Sequence, residues 1–212
     1  MSNKHLFATL AVVLAVSSPA FSGTEILEPV ADSYVNYADP DVNYGSATLM
    51  YVYNNASYRK ESLMRFDLSS IPSDQVIVSA TLHLYVYTQG GNTDVAYLIE
   101  DDTWGEGAVT WNNRPSTGDQ IGSWTLTQSG AFVQGDLTEA VQDAFEDAED
   151  QLLSFYIKGQ SDNLQTTYRT RNYAITEQRP YLEVVTAPRN STTVVLEPVA
   201  DSYVNYADPD VN

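Results

Sequence analysis

The sequence predicts an all-β fold, an antiparallel β-sandwich of the jelly-roll kind with one short α-helix. Three observations predict it. Apolar and polar residues alternate in many short segments, turn-forming clusters separate those segments, and only one stretch carries helical spacing.

From the N-terminus, Met1 to Ser22 reads as a secretory signal peptide, with an uncleaved membrane anchor as the alternative. Lys4 supplies the positive start, and Leu6 to Val16 is an apolar run of eleven residues, short for a bilayer. Pro19 ends the run, and Ala20-Phe21-Ser22 offers small residues for cleavage.

Strands follow. Thr48 to Tyr53 is the first, and then Ser62, Met64, Phe66 and Leu68 line up inward, opposite Glu61, Leu63, Arg65 and Asp67. Val76 to Thr88 is the clearest. Val76, Val78, Ala80, Leu82, Leu84 and Val86 take its inner face, and His83, Tyr85 and Tyr87 fall on the other. Asp94 to Ile99 and Gly122 to Thr127 come next, then Gln151 to Lys158 with Leu153, Phe155 and Ile157 inward, then Thr166 to Asn172 and Tyr181 to Thr186. Turns between them carry the expected residues: Asp39-Pro40-Asp41, Ile71-Pro72-Ser73-Asp74, Gly90-Gly91-Asn92, Ser116 to Asp119 and Ser161-Asp162-Asn163.

The helix is marked by Leu137, Ala140, Val141, Ala144, Phe145 and Ala148. Asp136 is placed to cap it, with Glu139 as the return partner of a capping box. Carboxylates at 146, 147, 149 and 150 oppose the helix dipole, so they are either solvated or neighboured by a cation. The helix is expected to cover one end or edge of the sandwich.

Composition narrows the function. The chain has 212 residues and no Cys, so disulfides, thiolate metal sites and thiol nucleophiles are excluded. Its net charge of -18 argues against binding nucleic acid, which wants a basic stripe. Aromatics reach 11%, too many for a disordered acidic chain.

A repeat sets the organisation. Leu196 to Asn212 reproduces Leu27 to Asn43 without a difference over seventeen residues. Identity of that length marks a tandem copy of a whole domain. The expected plan is a signal peptide over 1–22, a module over 23–187, a linker over 188–195 and the start of a second copy over 196–212. The alternative for the last piece is a strand that complements a neighbouring subunit.

An ordered set of motifs then resembles a known family. It comprises Ala31-Asp32-Ser33-Tyr34-Val35, Asp41-Val42-Asn43-Tyr44-Gly45 and Glu61 to Leu68, followed by Ser79-Ala80-Thr81-Leu82. Trp104-Gly105-Glu106-Gly107-Ala108-Val109-Thr110-Trp111-Asn112 and Arg179 to Val184 complete it. The set resembles the DNRLRE domain, related to disaggregatase-type repeats and counted among carbohydrate-binding modules. The resemblance spans Glu25 to Thr186 and implies a secreted β-sandwich module, often in tandem, attached to polysaccharide lyases, hydrolases or surface proteins. Thr170-Arg171-Asn172 stands where members often have Ser-Arg-Glu, so no role is carried over for that Glu.

Candidate sites are weighed against structural roles. Arg65, His83, Tyr85, Tyr87, Arg169 and Arg171 form a contact face if their strands adjoin, with aromatic platforms for sugar rings and Arg forks for uronate carboxylates. The alternative is cross-strand pairing, such as Arg65 with Glu61 or Asp67. Trp104, Glu106, Trp111, Asn112 and Asn113 offer a second sugar site, or a loop pinned by two Trp side chains. Asp39, Asp41 and Asn43 have alternating oxygen spacing, with Asp32 as a further oxygen. They are candidates for a structural calcium, or for a turn capped by Asp and Asn. No cofactor is required.

No catalytic motif is present. Asp101 and Asp102 are adjacent, so on a strand they would point to opposite faces and form no acid/base pair. His83 stands alone as a candidate base. The expectation is a non-catalytic, exported carbohydrate-binding module in tandem copies, with polysaccharide and neighbouring repeats as partners and no membrane span after processing. The alternatives are an adhesive surface stalk, or the accessory part of a polysaccharide lyase or hydrolase.

Overall fold

The structure, a computed structural model, describes residues 22–147 and 150–189. The expected signal peptide up to 21, the linker from 190, the second copy over 196–212 and Ala148 in the helix lie outside the described residues.

The elements in chain order are β1 (Gly23–Leu27), β2 (Ala31–Asn36), β3 (Leu49–Tyr53), β4 (Lys60–Asp67), β5 (Gln75–Thr88), β6 (Thr93–Ile99), β7 (Gln120–Thr125) and β8 (Ala131–Asp136). They continue with α1 (Thr138–Glu146), β9 (Leu152–Gly159), β10 (Gln165–Arg169), a 3₁₀ turn at Thr176–Gln178 and β11 (Tyr181–Pro188). The strands pair antiparallel. The sheet curls into a sandwich-like fold, all-β apart from the short helix. The first layer runs β2-β4-β9-β6-β7. The second runs β1-β11-β5-β8, with β10-β3 continuing along β5 beyond the end of β11. Tyr53 pairing with Lys60 joins the two layers.

The main core lies between the layers. Met64 and Phe66 of β4 and Leu153, Phe155 and Ile157 of β9 meet Leu82, Leu84 and Val86 of β5, Tyr168 of β10 and Leu182 of β11. The alternation expected for β4 and β9 is therefore the observed one. In β5 it holds from Ala80 onward but not before. The register with β11 shifts between Val185 and Thr186, a bulge that adds a residue and inverts the phase. Ile77 is consequently buried while Val78 is 53% exposed.

A second apolar cluster lies on the outer face of the first layer. Ala31, Val35, Leu63 and Tyr156 are covered there by Trp104 and Val109 from the loop after β6. Burial on both faces explains why β2 has no exposed side. It also explains Gly45. A Cβ there would lie 2.1 Å from the Glu106 carbonyl oxygen, so only Gly lets the covering loop approach.

Helix α1 packs its Val141 and Phe145 face on the end of the core. The residue at the cap is Leu137, which has no side chain to bond the helix amides. Asp136, one position earlier, accepts from the Thr138 amide at 2.9 Å and from the Thr138 hydroxyl at 2.6 Å. The capping box therefore does not form. At the far end, Arg189 Nη2 lies 2.5 Å from Glu146 Oε1, so the cation near these carboxylates comes from the chain itself.

Candidate functional site

β5 turns Leu82, Leu84 and Val86 into the core, so His83, Tyr85 and Tyr87 stand on the outer face of the second layer. Register decides their neighbours. Phe132 of β8 lies opposite Tyr85, and Tyr181 of β11 lies opposite His83. The rings meet as that register requires. His83 stacks on Tyr181 with centroids 4.3 Å apart, and Phe132 meets Tyr85 edge-on at 5.3 Å and Tyr181 at 5.6 Å.

The face continues to β10. Arg169 Cζ lies 4.2 Å from the Tyr87 ring centre and 3.7 Å from that of Tyr173. The guanidinium is thus held between two phenols, and its buried Nε has no hydrogen-bond partner among the described residues. Tyr87 is 46% exposed and Phe132 36%. Rigid strands therefore hold a shallow, solvent-facing row of rings with one cation set into it. Burial lowers the His83 pKa, and Glu183, 3.6 Å away, partly opposes that shift. A buried His stacked on Tyr181 is a packing residue, not a poised base.

Arg65 and Arg171 belong elsewhere. Arg65 extends from the outer face of the first layer, where Nη1 donates to the carbonyls of Asp102 and Trp104, the latter at 3.1 Å. Its guanidinium lies 4.9 Å from the Trp104 ring centre. Arg171 lies beyond the end of β10, where Nε donates to the Pro29 carbonyl at 3.0 Å and Nη1 pairs with Glu106 Oε2 at 3.2 Å. Both arginines fasten the covering loop, not the aromatic face. Alternation places His83, Tyr85 and Tyr87 on one face, but Arg65 and Arg171 lie away from it.

The tryptophan loop is a structural cover. Trp104 is 7% exposed, and its Nε1 donates to Ser154 at 3.0 Å. Trp111 carries the Arg114 guanidinium 3.7 Å over its ring. Glu106 accepts from the Asp32 amide at 3.0 Å, and Asn112 donates to Asp41 at 2.7 Å. Asn113 accepts from the Thr110 amide at 2.6 Å. These polar groups are spent on holding the loop.

The oxygens proposed for calcium disperse into the same scaffold. Asp39 accepts from Asn36 at 2.7 Å, and Asn43 donates to the carbonyls of Glu106 and Val109 at 2.8 Å each. Asp32 accepts from the Arg171 amide at 2.6 Å, while its other oxygen is buried without a partner among the described residues. Burial, with Glu106 nearby, pushes the Asp32 carboxyl up to about 7. No group of three or more Asp, Glu, His or Cys gathers at metal-holding distance among the described residues. Asp101 and Asp102 lie in a turn beyond β6, not on a strand, and Asp101 accepts from the Thr103 hydroxyl at 2.6 Å.

Phe132, Tyr173 and Tyr181 were not legible as parts of this face. Phe132 and Tyr181 lie in β8 and β11, where register sets them opposite Tyr85 and His83, whereas Tyr173 follows β10 and meets this face through Arg169.

The model of carbohydrate-binding module family 96 matches residues 24–186. A gellan lyase of a Bacillus species is 25% identical to this chain over 111 residues. That stretch covers 50% of the chain and 4% of the lyase, so the chain spans a small fraction of its relative's length.

Proposed function

Because this chain belongs to carbohydrate-binding module family 96, we propose that it is a non-catalytic module holding polysaccharide on the outer face of its second layer. One observation carries this reading: Tyr85, Phe132 and Tyr87 form a half-exposed row, with Arg169 set between Tyr87 and Tyr173. Phenyl faces offer apolar contact to the C–H faces of sugar rings, and guanidinium edges donate to hydroxyls or carboxylates. Strands fix these groups before a ligand arrives, which lowers the entropic cost of binding.

The order of motifs from Ala31 to Val184 supports a DNRLRE-type assignment within the family. The apolar run near the N-terminus supports export, and the duplicated seventeen residues support a tandem array. Repeated weak modules gain avidity through effective concentration. The gellan lyase relative favours a variant of this reading, in which the module serves a larger polysaccharide-degrading enzyme whose chemistry lies in another domain.

The test is retention of the purified protein on an array of polysaccharides that includes gellan, with calcium and then with chelator. Tyr85→Ala weakens retention on the bound polymer while its melting curve stays cooperative. A folded wild-type protein that binds no polymer overturns the proposal and favours a structural stalk.

A further inference from the structure

Both ends of the module leave from one corner. Gly23, at the start of β1, pairs with Thr186 near the end of β11, and Pro188 at that end pairs with Gln75, at the start of β5. The exit is fastened there. The Arg189 amide donates to the Asp74 carbonyl at 2.7 Å, and Arg189 Nη2 lies 2.5 Å from Glu146 Oε1. The duplication sets residue 192 where the first copy has residue 23, because Leu196 repeats Leu27. Only Asn190 and Ser191 therefore separate the fastened exit from the entry strand of the second copy. From Arg189 to Thr192 an extended chain spans at most about 11 Å. Two folded copies joined by that span must abut at this corner.

The corner has an apolar side. The bulge in β5 turns Val78 outward, and Val78 and Ile26 of β1 are each more than half exposed. β11 runs between their strands, and its half-buried Val185 pairs with Thr24 on one side and Ser79 on the other. Toward the helix the exit is polar, with Asp74 and Glu146 engaged by Arg189. The sequence of the second copy changes at this place. Residues 27–43 recur without a difference, but Thr24-Glu25-Ile26 becomes Thr193-Val194-Val195. Glu25 is exposed in the first copy. The copy that meets a neighbour at its entry strand carries Val194 instead, so a charge is lost and an apolar side chain gained where contact is forced. A short tether keeps the effective concentration high, so an area too small for a free-standing interface suffices here.

We infer that the outer face of β1, β11 and β5 at the chain exit, marked by Ile26, Val185 and Val78, is an interface with the following copy, whose entry strand brings Val194 against it. The inference rests on the tandem-array reading. Tyr85 lies further along β5, roughly 23 Å from Val78 at the usual rise per residue. Docking at the exit therefore leaves the aromatic row open. It also holds successive rows in one fixed relation, where a long flexible linker would let them turn freely.

The experiment uses a two-copy chain, residues 23–212 followed by 44–189, which completes the second copy with this chain's own residues. Nitrogen-15 relaxation reads how the copies tumble. The wild-type chain tumbles as one body. Val78→Lys in the first copy loosens the pair, and so does Val194→Glu, which restores the first copy's residue. Each copy then shows the shorter correlation time of a separate domain. Val78 and the Glu25 position are exposed strand surface, so both variants still melt cooperatively. Wild-type copies that tumble independently overturn the interface. One-body tumbling that survives both substitutions also overturns it, because the tether or another contact then holds the pair. Either result leaves the array and the glycan face standing. Sequencing past Asn212 tests the array itself: a natural chain that does not continue the second copy overturns that reading and this inference with it.

Discussion

The guanidinium of Arg169 stacks on the ring of Tyr87, with Cζ 4.2 Å from the ring centre. A contact of this kind, between a half-exposed ring and a partly buried cation, contributes about 0.5–2 kcal/mol. Removing it is expected to touch binding more than folding. Tyr87→Ala lowers glycan affinity about tenfold, in line with loss of one aromatic anchor, while stability falls by less than about 1 kcal/mol. Arg169→Lys keeps the charge but loses the planar stack and fork, and weakens binding by a smaller factor. Calorimetric titration beside thermal melts checks both.

Trp104 behaves in the opposite way. It is almost fully buried, covers Leu63 and Tyr156, and bonds Ser154. Trp104→Ala is expected to cost about 3–5 kcal/mol through the cavity it leaves. Trp104→Phe costs about 1–2 kcal/mol, because Ser154 loses its donor. Urea unfolding measures both. A Trp104→Ala protein of wild-type stability but lost glycan binding would show that the loop is a ligand site.

Gly45 tests how closely that loop seats. Ala at this position would place Cβ 2.1 Å from the backbone oxygen of Glu106, and backbone cannot swing aside as a side-chain tip can. Gly45→Ala is expected to lower stability by about 2 kcal/mol or more. Amide exchange is expected to rise across 104–113 before it rises in β9.

Asp94 supplies a pH dependence. It is buried, accepting from Tyr168 at 2.6 Å and from Asn92 at 2.8 Å. Burial pushes its carboxyl up to about 6. The unfolded value is about 3.9, so between about 4 and 6 the folded protein holds more protons than the unfolded chain. Stability is therefore fullest below about 4 for this group and falls as pH rises through about 6, by roughly 3 kcal/mol in all. Asp32, pushed up to about 7, adds to the fall over a wider window. Asp67 and Asp136 are held low by hydrogen bonds from Ser69 and Thr138, and they oppose the gain only near the acid end. Melts from pH 4.5 to 8 are expected to show a declining midpoint, with a shallower decline in Asp94→Asn.

How much was legible depended on whether one strand or several carried the information. Alternation within β4 and β9 named the buried residues, because those strands are regular. The start of β5 misled, because a bulge inverts the phase without leaving a Gly or Pro in the sequence. β2 is buried on every residue, so it has no period to read. For the site, Tyr85 and Tyr87 share a face by local geometry alone, and Arg169 at the end of β10 reaches Tyr87. Arg65 and Arg171 were grouped with them by charge, yet Arg65 belongs to the other layer and Arg171 to a loop beside Glu106.

The most direct measurement maps a bound glycan onto the protein. An oligosaccharide of whichever polymer the protein retains is titrated while backbone and aromatic NMR signals are followed. The account predicts perturbations at Tyr85, Tyr87, Phe132, Arg169 and Tyr173. Perturbations confined to 104–113, with the β5 face silent, would contradict it.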